Sequence, residues 1–154
     1  MVTTIHNLGY QGRIGPHLLP DIGLGPEQMR PDLMEFHGDV NFLKGAIVYA
    51  DWITTVSPTY AREIQTPEFG EGLEGLLSAR ANSLSGILNG VDYSEWSPES
   101  DRYIAQRHSA DTMEGKVACK LDVLREFGLD TKDPRRPLIG IVSRFARQKG
   151  FDLI

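Results

Sequence analysis

The chain has 154 residues, 40% of them hydrophobic and 24% charged, with a formal net charge of −5. These values fit a globular protein of one domain, or the adjoining parts of two. The acidic balance argues against a duplex nucleic-acid binder, which needs a basic surface to displace counterions. No apolar run approaches the roughly 20 residues that span a bilayer, so neither nucleic acid nor membrane is an expected partner.

The first strand candidate is Val2–Ile5, a β-branched run that leads directly into His6-Asn7 and a glycine-bearing loop, Gly9-Tyr10-Gln11-Gly12. A polar segment follows, and its carboxylates Glu27, Asp32, Glu35 and Asp39 read as solvated. Residues 41–51 place Phe42, Ala46, Ile47 and Ala50 at helical spacing. A second strand is expected at 53–56. Ser57-Pro58 then starts a helix through Tyr60, Ala61 and Ile64, because the hydroxyl can accept from a first-turn amide and proline suits the first helical position. A helix over 71–80 is weakened at its start by Gly72 and Gly75. A third strand at 84–88 runs into Asn89-Gly90.

Residues 92–133 hold no strand candidate and read as a connection with its own helix. That helix, at 116–127, should bury Val117, Leu121 and Leu124 and end at Gly128. The almost wholly apolar run Pro137-Leu138-Ile139-Gly140-Ile141-Val142 predicts a strand at 138–143, buried on both sides and opening a second domain. Strands alternating with helices predict an α/β fold around a mostly parallel sheet. At the end, Phe151-Asp152-Leu153-Ile154 reads as the first turn of a helix, and the chain opens with no leader. It is therefore expected to be an internal fragment. The lone Cys119 has no internal disulfide partner, which fits a cytoplasmic location.

Ligands of open parallel sheets bind beyond the carboxyl ends of the strands. At those places stand His6 and Asn7, then Asn89, then Ser143-Arg144 with Gln148-Lys149-Gly150. An arginine fork and a mobile lysine suit phosphate oxygens, and free amides at a helix start add partial positive charge. Arg144 and Lys149 read equally as solvated cations, since Arg147 stands close by. His6 reads either as a sugar contact or as a histidine satisfied by backbone. Asn89 reads as a hydroxyl contact or as part of an Asn-Gly turn. Tyr10 and Gln11 have the character of carbohydrate contacts. His17, His37 and His108 are scattered, without zinc spacing. Neither a Gly-x-x-x-x-Gly-Lys phosphate loop nor a Gly-x-Ser-x-Gly elbow occurs. Cys119, in a helix near Lys116 and Lys120, reads as a buried or idle thiol.

Several stretches then form one pattern. They are Thr4-Ile5-His6-Asn7-Leu8 with Tyr10-Gln11-Gly12; Asn41-Phe42-Leu43-Lys44-Gly45 with Tyr49-Ala50-Asp51; and Thr54-Thr55-Val56-Ser57-Pro58-Thr59-Tyr60-Ala61 with Glu63-Ile64. They continue through Gly70-Glu71-Gly72-Leu73, Gly86-Ile87-Leu88-Asn89-Gly90-Val91-Asp92, Trp96 and Pro98. The last are Pro137-Leu138-Ile139-Gly140, Val142-Ser143-Arg144 and Gln148-Lys149-Gly150. Over nearly its whole length the chain resembles bacterial glycogen synthases and plant starch synthases. The resemblance implies a GT-B architecture of two Rossmann-like domains. It assigns 1–91 to the latter part of the first, starch synthase catalytic, domain. Residues 92–136 become the interdomain connection, and 137–154 the start of a nucleotide-sugar-binding domain with its first strand.

The resemblance also implies transfer of glucose, with retained configuration, from ADP-glucose to the non-reducing end of an α-1,4-glucan, without metal or cofactor. Residues that would tell ADP from UDP are not in this stretch. By the same analogy Arg144 and Lys149 hold the donor diphosphate and stabilise its leaving charge. His6 lies beside the transferred glucose, while Asn7, Tyr10, Gln11 and Asn89 contact substrate. The family's lysine-glycine-glycine motif, later glutamates and second glycine-rich loop are not in the chain, so the fragment alone is expected to be inactive. Two other readings remain. One is a sucrose- or trehalose-forming GT-B enzyme, which shares the Ser-Arg…Lys-Gly segment. The other is a non-catalytic glucan- or nucleotide-binding module on the same fold.

Overall fold

A computed structural model describes residues 1–146 and 149–154. Arg147 and Gln148, the latter part of the expected Gln148-Lys149-Gly150 motif, lie outside the described residues. Two units divide the chain, Met1–Gly90 and Val91–Ile154.

The first unit contains, in order, β1 (Val2–Ile5), β2 (Arg13–Ile14), β3 (Glu35–Phe36), β4 (Asp39–Asn41), α1 (Phe42–Tyr49), β5 (Trp52–Thr55), α2 (Pro58–Glu63), α3 (Glu74–Ala79) and β6 (Leu84–Gly86). The strands expected at 2–5, 53–56 and 84–88 form one parallel sheet in the order β1-β5-β6. Val2 pairs with Trp52 and Ile5 with Thr55, while Ile53 pairs with Leu84 and Thr55 with Gly86. Threonines suit this ladder. Thr4 Oγ1 lies 2.8 Å from Thr54 Oγ1, and Thr55 Oγ1 donates to the Ile5 carbonyl at 2.7 Å, so the central strand buries a hydroxyl without leaving it unpaired.

Capping sets the helix limits. Asn41 accepts from Lys44 N at 2.9 Å to start α1, and Ser57 accepts from Tyr60 N at 2.8 Å to start α2, with Pro58 at its first position. The far end of α1 meets Arg80, whose guanidinium donates to Ile47 O (2.8 Å), Val48 O (3.4 Å) and Ala50 O (2.6 Å). A cation there also opposes the negative end of the helix dipole. The helix expected from 71 begins at Glu74 instead, because the backbone is left-handed at Glu71 (φ 50°) and Gly72 (φ 83°). Ile5, Leu8, Ile47, Ile53, Ile64, Leu73 and Leu77 fill the core around the parallel sheet. Each is worth roughly 1.5–3 kcal/mol of apolar burial.

Sequence patterning did not anticipate a second, antiparallel sheet, β2-β4-β3. Its hairpin pairs Phe36 with Asp39 and turns on His37 (φ 52°) and Gly38 (φ 86°). Both positions require the left-handed backbone of the hairpin turn whose twist suits the strands. Leu19, Met34 and Val40 form its small core. Of the four carboxylates read as solvated, Asp32, Glu35 and Asp39 have partners, while Glu27 is exposed. Asp39 pairs with Arg13 at 2.8 Å, Glu35 Oε1 accepts from Gly38 N at 2.9 Å, and Asp32 pairs with Arg30 at 2.6 Å. The Arg30 hydrogen bond holds the Asp32 carboxyl below its ordinary range.

Among the described residues the second unit has one α-helix, α4 (Gly115–Glu126). It lies within one residue of expectation at each end, and after it Leu129 N returns to Leu124 O at 2.8 Å. Leu124 is buried and Leu121 half-buried, but Val117 is exposed, so only part of the expected stripe is covered. Lys120 donates to Pro134 O at 2.6 Å and to Arg136 O.

The strand expected at 138–143 is not formed. Ile139 is 83% exposed and Val142 fully exposed. A parallel strand exists only when neighbours take up its N–H and C=O groups. No described residue pairs with this run, so its apolarity alone does not order it. Among the described residues no helix is long and apolar enough to cross a membrane.

Candidate functional site

Because Ile5, Thr55 and Gly86 are in register across the parallel sheet, the residues after them share one carboxyl edge. His6 follows β1, Ser57 follows β5 and Asn89 follows β6. Ile87 N extends the last pairing by donating to Thr55 O at 2.8 Å. Gly86 meets the start of α2 backbone to backbone. A Cβ there would lie 2.1 Å from Ser57 O and 2.4 Å from Pro58 N, so only glycine fits.

Loop 6–12 is folded tightly onto this edge. Asn7 turns it, its side-chain Oδ1 accepting from Gly9 N at 3.0 Å and its carbonyl from Tyr10 N at 3.3 Å. Leu8 is buried in the core and donates its N–H to the Tyr60 hydroxyl at 3.0 Å. At the other end Gln11 O accepts from Leu43 N at 3.0 Å. Two hollows flank the loop. One, about 260 Å³, is lined by Thr4, Ile5, His6, Asn7, Tyr10 and Leu43. The other, about 390 Å³, is lined by Gly9, Tyr10, Gln11, Gly12, Arg13, Phe36 and Glu71. Tyr10, 65% exposed, walls both. The Arg13 guanidinium sits 5.3 Å above the Phe36 ring while paired to Asp39, which fixes one wall of the larger hollow. An aromatic face, a histidine and side-chain amides can together stack on and hydrogen-bond a sugar.

The structure therefore brings His6, Asn7 and Tyr10 around one hollow and places the exposed Asn89 on the same sheet edge. Gln11, expected to contact carbohydrate, lines the larger hollow but is 9% exposed. Both atoms of its amide already have protein partners: Oε1 accepts from Asn41 Nδ2 at 2.6 Å, and Nε2 donates to Glu71 O at 3.1 Å.

Arg144 and Lys149 belong to the second unit and are exposed. Near them Ala146 N donates to Arg144 O and Lys149 N to Ala146 O, each at 2.9 Å. Phe145 stacks on Phe151 at 4.9 Å beside them. The buried strand expected before this pair is absent. The helix expected after it is a single 3-10 turn, Phe151–Leu153, too short for an additive dipole. Among the described residues no three His, Cys, Asp or Glu side chains group to hold a metal ion. The half-buried Cys119 thiol donates to Gln106 O at 3.1 Å.

Sequence reasoning missed Arg13, Phe36, Asn41 and Glu71. Asn41 had a readable signal, an asparagine directly before a helical pattern; for Glu71 we see none.

A parallel sheet with polar side chains beyond its carboxyl edge is an open α/β arrangement, and its match to a solved starch synthase makes it one of the GT-B type. The same fold occurs in the catalytic domain of starch synthase IV from Arabidopsis thaliana, solved bound to ADP and acarbose. The match has a TM-score of 0.88 and 38% identity, covering 99% of this chain and 32% of that one. The chain belongs to the starch synthase catalytic domain family, whose model matches residues 1–79. It is also similar to the glycogen synthase of Koribacter versatilis, at 58% identity over all of this chain and 31% of that protein. With the glycogen synthase of an Anaeromyxobacter species, identity is 52% over 99% of this chain and 32% of the relative. The chain thus spans about a third of the length of the curated relatives it matches.

Proposed function

We propose that the chain is part of a retaining glycosyltransferase that moves glucose from ADP-glucose to the non-reducing end of an α-1,4-glucan in the cytoplasm. What carries this reading is the likeness, at 38% identity, to a starch synthase solved with ADP and acarbose, extending over 99% of the chain. In this reading residues 1–91 are the latter part of an N-terminal Rossmann-like domain. Residues 92–136 are the connection, and 137–154 begin the nucleotide-sugar-binding domain.

His6 hydrogen-bonds the transferred glucose, and Asn7, Tyr10 and Asn89 orient sugar hydroxyls. These roles are supported by the hollow that the first three line and by the shared sheet edge. Arg144 and Lys149 neutralise the diphosphate as its bond to glucose breaks. That is the point in the reaction at which charge develops and fixed cations contribute most. No metal is needed in this scheme.

The test is ADP release by a full-length enzyme carrying this segment, with glycogen as acceptor. Arg144→Ala and Lys149→Ala should each lower kcat about 100- to 1,000-fold, the scale of removing one charge-stabilising group. The 154-residue chain alone should show no turnover. Preference for a short hexose acceptor over glucan would overturn the assignment.

A further inference from the structure

The network around Gln11 separates holding a sugar from holding the loop that holds it. Loop 6–12 is anchored at two places. Near its start, Leu8 N donates to the Tyr60 hydroxyl on α2. Near its end, Gln11 and Gly12 accept through their carbonyls from Leu43 N (3.0 Å) and Phe42 N (3.4 Å) in the first turn of α1. Side chains reinforce the second anchor. Asn41, completely buried, caps α1 through Oδ1 and donates through Nδ2 to Gln11 Oε1 at 2.6 Å. Gln11 then passes the connection on, donating to the Glu71 carbonyl at a residue held in left-handed backbone. One buried amide pair thus ties together the loop, the start of α1 and the turn before α3. Buried amides have few alternative partners, so losing either leaves the other unsatisfied.

We propose that Gln11 and Asn41 are positioning residues whose mutual hydrogen bond fixes loop 6–12, and with it His6, Asn7 and Tyr10, in the geometry needed for transfer. This rests on the glycosyltransferase reading above. It differs from the sequence-based expectation for Gln11, since the side chain acts through the loop and not on the sugar.

The test uses full-length enzyme with Gln11→Leu, Asn41→Ser, the double variant, Gln11→Glu and Arg80→Leu. Serine at 41 retains a capping oxygen and loses the bond to Gln11. Both single variants should lower kcat about 10- to 100-fold, as expected for a small misplacement of reacting groups, with KM for ADP-glucose changing less than about twofold. The double variant should be no worse than Gln11→Leu alone, because that change already removes the bond to Asn41 along with the one to Glu71 O. Gln11→Glu, which still accepts from Asn41, should recover part of the loss. Arg80→Leu strips three carbonyls of their donor at the opposite end of α1. It should lower Tm comparably while kcat in the folded enzyme is kept.

Additive losses, or a kcat loss no greater than that of Arg80→Leu, would overturn the proposal. So would a raised KM at unchanged kcat, which would mark Gln11 as a substrate contact. Should the wild-type enzyme release no ADP, the donor assignment fails and loop anchoring is read separately by amide exchange. Residues 9–12 should then exchange at least about tenfold faster in Gln11→Leu and Asn41→Ser than in Arg80→Leu, by opening of the local structure. Equal exchange sinks the positioning role.

Discussion

Two apolar runs of similar character end differently. Val2–Ile5 in the first unit becomes β1, its last residue 1% exposed and its backbone paired along β5. The run 138–142 in the second unit is the more apolar of the two, yet it stays unpaired, with Ile139 83% exposed. Composition is not the difference. Beside the first run the chain supplies a neighbouring strand, Thr–Thr contacts across the ladder, and helices whose Ile47, Ile64 and Leu77 cover one face. Beside the second, no described residue supplies a partner. Hydrophobic patterning states what a segment would do in company; a strand is a property of at least two segments.

That contrast can be broken by substitution in the isolated chain. Ile53→Ala, at the centre of the parallel sheet and fully buried, should cost about 2–5 kcal/mol in a urea titration. A loss below about 1 kcal/mol would show that the first unit has no close-packed core. Arg80→Leu should cost about 1–3 kcal/mol, since it strands carbonyls at the end of α1. Ser57→Ala, which removes the α2 cap, should cost about 1 kcal/mol. Smallest of all, Ile139→Ala should change stability by no more than about 0.5 kcal/mol, the range for exposed positions. A large loss there would mean that 138–142 is buried in solution. Amide exchange sharpens the same comparison without mutation. Ile53 and Thr55 should be protected while 138–142 exchange near the rate of unstructured chain.

Most of the first unit was legible because its signals are local or repeat over several residues. The apolar and β-branched runs gave the three parallel strands, helical spacing gave α1 to within a residue of its start, and Ser57 with Pro58 marked where α2 begins. The antiparallel sheet was not read because strands of two or three residues are too short to show alternation. Its one clue was the His37-Gly38 pair at the hairpin turn. The helix at 116–127 was placed correctly, but what it covers was not, since Val117 has helical spacing without a partner. For the candidate site, position beyond a strand end was enough to single out His6, Asn7 and Asn89 as candidates on one sheet edge. That Gln11 faces inward to Asn41 depends on a contact 30 residues away, which no local pattern encodes.

The backbone contact at Gly86 has a mechanical consequence. With no side chain in between, β6 lies against the start of α2, and any β-carbon at 86 would force the two apart. α2 in turn bears Tyr60, whose hydroxyl holds Leu8. A bulkier residue at 86 would therefore press on α2 from one side and, through Tyr60, on the Leu8 anchor of the loop that follows β1 from the other.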